Sequence, residues 1–372
     1  MERTELAKEA KNIAFQDDEI DLKELVLALW SSKFLIAGVT IVCAVIAIAY
    51  ALLAKQVWTT EAVVTSPQIR DFSDYQQMVN DFQPVFDVYQ DSGSVLVSHK
   101  LDSFVLPETL FNIYIQQFES RANKKAYIST IPEFQRELGL LQSEEKNSDS
   151  DYQDRELRLY NDWYGKLVVS SIKSGSQDVN SYTLKGLLGS SVDSYEFLNG
   201  YIEFVAEKSR SIAIANLSST VASKRSELLQ QQMMLTEQAK GRLLNEQARS
   251  QYALEIAAAA GIDKPQQNLD GEELFAINIG ANALAAKVKV LNNLTQLSIV
   301  EPRLHQLNSK LDLLNTLKVS SSVKFDTFQF IESPERPTSR TSPKRPLIAI
   351  LGALLGGMLG CAIVLIRYAF KK

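Results

Sequence analysis

Few residues in this chain have chemistry to offer. Its two histidines, His99 and His305, stand about 200 positions apart with no acidic motif beside either. No HExxH, GxSxG or paired CxxC pattern occurs, nor GxxxxGK followed by Ser or Thr. The spacings for zinc hydrolysis, a nucleophile elbow, a thiolate metal site and a phosphate cradle are therefore missing. Carboxylates are plentiful but fall on polar helical stretches, where solvation is their ordinary role; an acid pair built from remote positions, as in glycosidases, stays open. We expect no enzyme, no cofactor and no bound metal. Cys43 and Cys361 both lie in long apolar runs and read as small apolar residues, which leaves no disulfide or thiolate framework between them.

What remains is contact chemistry. Gly352, Gly356 and Gly360 form GxxxGxxxG, with Gly357 beside them, inside an apolar run. Small residues four apart let helix backbones approach closely in lipid, where hydrophobicity gives no drive to associate. The partner of that face is open: the chain's other apolar run, a second copy, or another protein. Ahead of the run stand Pro334, Pro337, Pro343 and Pro346, interleaved with Arg336, Arg340, Lys344 and Arg345. The prolines disfavour helix and predict an extended, stiff spacer. Arg340, Lys344 and Arg345 are expected at the headgroups, where they fix the depth of the following helix, with contact to a lipid-pyrophosphate substrate as the sharper alternative.

Two elements must hold these groups in place. Phe34–Ala54 and Leu347–Ile366 carry no charge, and each is long enough as a helix to cross the roughly 30 Å hydrocarbon core. The first has Ala-x-Ala spacing near its end, yet it is too long and its leader too acidic for a cleaved signal, so an uncleaved anchor is expected. Two spans put 1–33 and 368–372 on one side and 55–346 on the other. Lys and Arg near the span ends tie between the two sides, so charge alone does not orient the chain. Neither terminal segment can bury a core, so no folded output module is expected there. The net charge of −5 offers no broad basic face for nucleic acid.

The large loop opens and closes on predicted strands, residues 57–66 and 323–331, both β-branched or aromatic and both adjoining a span. Their pairing in one membrane-proximal sheet is the economical arrangement, with "GKLVVSSI" and "YTLKGLLG" as further strands. Residues 84–140 read as helices broken at Pro107 and Pro132, and Leu141–Gln153 as a loop. From Val192 to Ala260 there is no proline and much Leu, Ala, Glu, Gln, Lys and Arg, with Ser191 as cap and Gly261 as stop. That predicts a helix of roughly 100 Å at about 1.5 Å per residue, with Gly200 and Gly241 as places to bend. Its apolar stripe, Ile214, Val221, Leu228 and Leu235, is thin for a core helix. The helix is expected to protrude and to lean on other helices or on copies of itself, the four residues carrying subunit contacts. A second helical stretch, Ala281–Lys318, returns along it, with Pro302 starting or kinking its second half. The fold class is α+β: two transmembrane helices flanking a large domain with an α/β base and a long helix.

Here the sequence resembles a known family. "SPKRPLIAILGALLGGMLG" after its proline-rich lead looks like the second span of the Wzz chain length determinants, the polysaccharide co-polymerases. "DDEIDLKELVLALWSSK", "VWTTEAVVTSP" and "YALEIAAAAGIDKP" resemble the family's cytoplasmic lead-in, first strand and long-helix end, in the right order. The resemblance implies an inner-membrane protein with both termini cytoplasmic and the large domain periplasmic. It also implies self-assembly into a homo-oligomeric ring, and control of the length distribution of O-antigen lipopolysaccharide or a related glycan built by the Wzy polymerase. The growing lipid-linked glycan and membrane lipids are the further partners implied. Relatives serving capsule export often carry or pair with a tyrosine kinase, for which the short tail leaves no room, so the O-antigen type is expected. A periplasmic sensor and an export-complex adaptor are the competing readings.

Overall fold

The computed structural model describes residues 27, 29–90, 92–143, 149–172, 181–266 and 275–370. Most of the 1–33 segment, and the last two residues of the 368–372 tail, lie outside that set. The chain forms two compact units. One draws on the chain up to Glu61, Lys185–Leu198 and Pro334 onward; the other takes Ala62–Leu184 and Asn199–Ser333.

In the first unit, α1 (Lys33–Leu53) and a long helix at the other end of the chain, Arg345–Ala369, carry charge only near their ends and are long and apolar enough to cross a membrane. Strand β1 (Trp58–Thr65) follows α1 directly, and Thr60, Ala62 and Val64 point alternately into the core. In the second unit, β4 (Leu167–Ile172), the first half of β5 (Ser181–Leu188) and β6 (Gln329–Glu332) join the later half of β1 in the order β4-β5-β1-β6. β1 and β6 run antiparallel, with Val64 opposite Phe330 and Thr65 opposite Gln329. The segment 323–331 is therefore a strand only at its end. Its earlier aromatics turn inward instead: Phe325 stacks on Tyr75 at 4.4 Å and Phe328 on Tyr114 at 4.2 Å.

The second unit holds α2 (Ser73–Asp81), α3 (Gln83–Phe86) and a hairpin of β2 (Val88–Tyr89) and β3 (Val95–Leu96). The hairpin replaces part of the helical reading of 84–140; Val88, Val95 and Val97 around Gly93, whose φ is +84°, are the β and turn signals that outweigh it. Then come α4 (Pro107–Glu119), α5 (Arg121–Ile128), α6 (Pro132–Ser143) and α7 (Asp149–Tyr164). Only 144–148 separate the last two, so the loop expected over Leu141–Gln153 is mostly helix. The reason is tertiary: Phe134 packs on Tyr160 and edge-on against Trp163, whose Nε1–H donates to Glu137 at 2.7 Å.

The dominant element is α8 (Ser191–Ala259), 69 residues without a break at Gly200 or Gly241. At Gly200 a Cβ would collide with the Tyr127 hydroxyl, so this glycine admits a ring against the helix backbone and does not bend it. Ser190, not Ser191, caps the start, accepting the Asp193 N–H at 3.1 Å. The far end closes with Gly261 at φ +68°, where Ile262 N–H reaches Ala257 O at 2.9 Å and Gly261 N–H reaches Ala258 O. The return stretch is two helices, α9 (Ala281–Asn292) and α10 (Arg303–Thr316), the second starting at Pro302. The helix Arg345–Ala369 is α11.

Candidate functional site: the glycine seam, its brace, and the face of the long helix

Within the first unit, α11 lays its glycine face on α1. A Cβ at Gly352 would run into Ala47 Cβ; one at Gly356 would lie 2.8 Å from Cys43 Cβ and 2.9 Å from Thr40 Cα; one at Gly360 would lie 3.0 Å from Ile36 Cα. The order runs backward along α1, as an antiparallel pair requires. Gly357 stands off this line, its nearest neighbour across the seam being Thr40 Oγ1 at 3.8 Å. Thr40 donates its hydroxyl to Ile36 O at 2.8 Å, so no polar group is left open at the contact. In this structure the glycine ladder is occupied by the chain's own first span. The matching signal, Thr40, Cys43, Ala44 and Ala47 as small residues three and four apart, was present in the sequence.

The proline-rich lead is bonded along its length and is not a bare spacer. Val57 N–H donates to Ser342 O at 3.0 Å, Thr341 N–H to Val57 O at 2.9 Å, and the Thr341 hydroxyl to Thr59 Oγ1 at 2.8 Å. The Ser191 hydroxyl donates to Pro337 O at 2.7 Å, and the Arg336 guanidinium lies 5.6 Å from the Tyr195 ring. Pro343 is buried, Pro334 and Pro337 are half-buried and Pro346 is exposed. Lys344 is exposed and Arg340 half-buried. Arg345 Nε donates to Ala51 O at 3.3 Å, a cation at the carbonyl end of α1, where the helix dipole favours it.

Within the second unit, the stripe expected to carry subunit contacts is taken up internally. Leu228 and Leu235 are buried, and Ile214 and Val221 pack beside them, in a core with Leu304, Leu307, Leu311 and Leu314 of α10. The correction has a simple cause: α10 supplies a leucine face of matching period, so the thin stripe is wide enough for one returning helix. Polar groups lock the pair. Arg225 donates to Leu314 O at 2.7 Å, Gln232 to Asn308 at 2.7 Å, and Arg242 and Arg303 reach Glu301 at 2.6 and 2.5 Å. The Arg303 hydrogen bond, with the charges of both arginines, holds the buried Glu301 carboxyl below its ordinary range against the cost of burial. The apolar side chains α8 leaves exposed are others: Leu229, Met233, Met234, Leu244, Tyr252 and Ile256.

Catalytic geometry does not assemble around the histidines: His99 pairs with Asp102 at 2.8 Å on the surface, and His305 is exposed on α10. Among the described residues no three His, Cys, Asp or Glu side chains gather as a metal site.

An α+β domain carried between two apolar helices is also the fold of a full-length bacterial polysaccharide co-polymerase. The two superpose with a TM-score of 0.63 at 24% identity, over 94% of this chain and 98% of that one. A Shigella flexneri lipopolysaccharide O-antigen chain-length regulator superposes at 0.51 and 18% identity, over 76% of this chain and 99% of that. These likenesses define the fold. Residues 18–131 match the family model Wzz, chain length determinant protein, and residues 305–369 match a second model, GNVR, a G-rich domain. The chain is 25% identical to an Escherichia coli K12 chain length determinant protein over 98% of both chains. It is 23% identical to that organism's ECA polysaccharide chain length modulation protein, over 95% of this chain and 96% of that. A third relative, named ferric enterobactin transport protein FepE, is 26% identical over 96% of this chain and 91% of its own. Residues 18–131 thus carry a chain length determinant domain, within a chain similar over nearly its full length to proteins of that name.

Proposed function

We propose that this protein sets the chain length distribution of O-antigen lipopolysaccharide or a related surface glycan, without a catalytic step of its own. It acts as a homo-oligomeric ring alongside the Wzy polymerase, with both termini cytoplasmic and the domain between the spans in the periplasm. The observation that carries this reading is the chain length determinant domain at residues 18–131, set in a full-length likeness to proteins named for chain length control. The α1–α11 seam holds the spans as one unit that engages the polymerase, Arg340, Lys344 and Arg345 anchor it at the headgroups, and α8 carries glycan and subunit contacts. With its apolar stripe covered by α10, the subunit contacts fall to the side chains α8 leaves exposed, Leu229, Met233 and Leu244 among them.

The test is a gel ladder of surface glycans from a strain lacking the gene, with and without its restoration. Loss of a clustered length distribution, restored by the gene, supports the reading, and the glycan whose ladder changes identifies the target. Unchanged ladders overturn it. The name of the third relative supplies a second reading, ferric enterobactin transport, which unchanged ladders with poor growth on that siderophore as iron source would favour.

A further inference from the structure

A groove of about 620 Å3 opens between the β2–β3 hairpin and the adjoining faces of α8 and α10, within the roughly 300–1,000 Å3 of small-ligand sites. Its floor is apolar, formed by Leu228, Leu235 and Leu307, and its walls are not. Lys224 and Lys310 line it against one carboxylate, Glu227, and Arg303, paired with Glu301 at 2.5 Å, stands at its edge. Glu227 is already engaged, accepting from Lys224 at 2.9 Å and from Gln231 at 3.2 Å, and these bonds hold it below the ordinary carboxylate range. The Lys310 ammonium sits on the neutral backbone carbonyl of Asp87. Burial, and after it the like charge of Lys224, lower its proton affinity against the opposing charges of Asp87 and Glu227. An anion entering the groove relieves that repulsion; a neutral guest does not. Beside Lys310, 5.6 Å from its ammonium, lies the Tyr89 ring, 41% exposed though apolar in body. The Gln306 side chain adds an amide that both donates and accepts.

Cations, amides and an exposed aromatic ring over an apolar floor form a surface for a ligand with hydroxyls, a pyranose C–H face and a carboxylate. We propose that this groove is a saccharide subsite for an acidic sugar unit, with Lys310 and Lys224 receiving the carboxylate, Gln231 and Gln306 the hydroxyls, and Tyr89 the ring. The proposal rests on the chain-length reading and adds to it the class of glycan that the domain holds.

The experiment titrates full-length protein in detergent micelles with trigalacturonate and, separately, with neutral maltotriose, by calorimetry at low salt. Trigalacturonate is expected to bind roughly tenfold or more tightly than maltotriose, with Lys310→Gln weakening it about tenfold and Tyr89→Ala weakening both sugars. Lys310→Arg keeps the charge and is expected to retain most of the affinity, which separates lost charge from a misfolded variant. Equal binding of the two sugars, no binding of trigalacturonate, or indifference to Lys310→Gln overturns the proposal. A glycan ladder that changes on deletion while trigalacturonate fails to bind removes the groove alone. Unchanged ladders with charge-dependent binding leave the groove and remove the chain-length reading.

Discussion

Replacing Gly356 by alanine adds one methyl group where the structure has no room for it. The new carbon would stand 2.8 Å from Cys43 Cβ and 2.9 Å from Thr40 Cα. The second of these is backbone and cannot rotate away. Restoring an ordinary carbon contact of about 3.5 Å requires α1 and α11 to part locally by roughly 0.7 Å, which weakens dispersion along the whole seam. Overpacking of this kind costs about 1–3 kcal/mol, and in lipid no hydrophobic term offsets it. Gly357→Ala is the internal control. It makes the same chemical change one residue away, in the same helix, where the nearest seam atom is Thr40 Oγ1 at 3.8 Å. Both variants gain the intrinsic helix preference of alanine, roughly 1 kcal/mol over glycine, so that contribution cancels in the comparison. The assay is the distance distribution between spin labels on α1 and α11 in full-length protein in bilayers. Gly356→Ala is expected to lengthen and broaden it, and Gly357→Ala to leave it unchanged. Identical distributions for the two variants would refute the argument, because only the seam distinguishes their surroundings.

Two further perturbations probe the long helix and its return. Leu228→Ala deletes a core side chain shared by α8 and α10 and is expected to cost about 2–5 kcal/mol of domain stability, read as a lower denaturation midpoint; a change in oligomeric state with unchanged stability would restore the subunit-contact role. The Glu301 carboxyl, lowered in the folded chain by Arg303 and Arg242, contributes stability that is present above its ordinary value of 4.5 and lost as pH falls through the lower folded value. Glu301→Gln is therefore expected to lower stability at neutral pH and to flatten the acid limb of the midpoint-against-pH curve. An acid limb as steep as wild type would exclude this residue as its source.

The groove and the seam bear on one function from two sides. The proposed chain length control calls for a surface that holds glycan and for spans that stay together. The seam uses small residues to bring backbones into contact, and α8 uses amides and cations to keep a polar face beside a narrow apolar one. That division explains why a helix so rich in glutamine is still continuous: one returning helix covers its stripe, and the polar remainder is left exposed.

Features that depend on near neighbours in the chain were readable from the residues alone. Twenty uncharged residues in a row are long enough to span a bilayer as a helix, so both apolar helices were legible from composition. An absence of proline from Val192 to Ala260 and the glycine at 261 bounded α8 to within a residue at each end. The missing metal and nucleophile spacings likewise needed no coordinates to see. Tertiary structure alone decided which surfaces meet. Gly352, Gly356 and Gly360 announced a close helix contact but not that α1 provides it, and the stripe from Ile214 to Leu235 announced a partner but not that α10 is that partner. The helical turns on either side of 144–148 form because Phe134, Tyr160 and Trp163 bury one another, and Phe325 leaves the strand because Tyr75 offers it a stacking face. The groove joins residues near 89, 224 and 310 that share no local pattern. Periodicity records how apolar groups are spaced along a segment, whereas the identity of the covering surface depends on chain closure over a hundred residues or more.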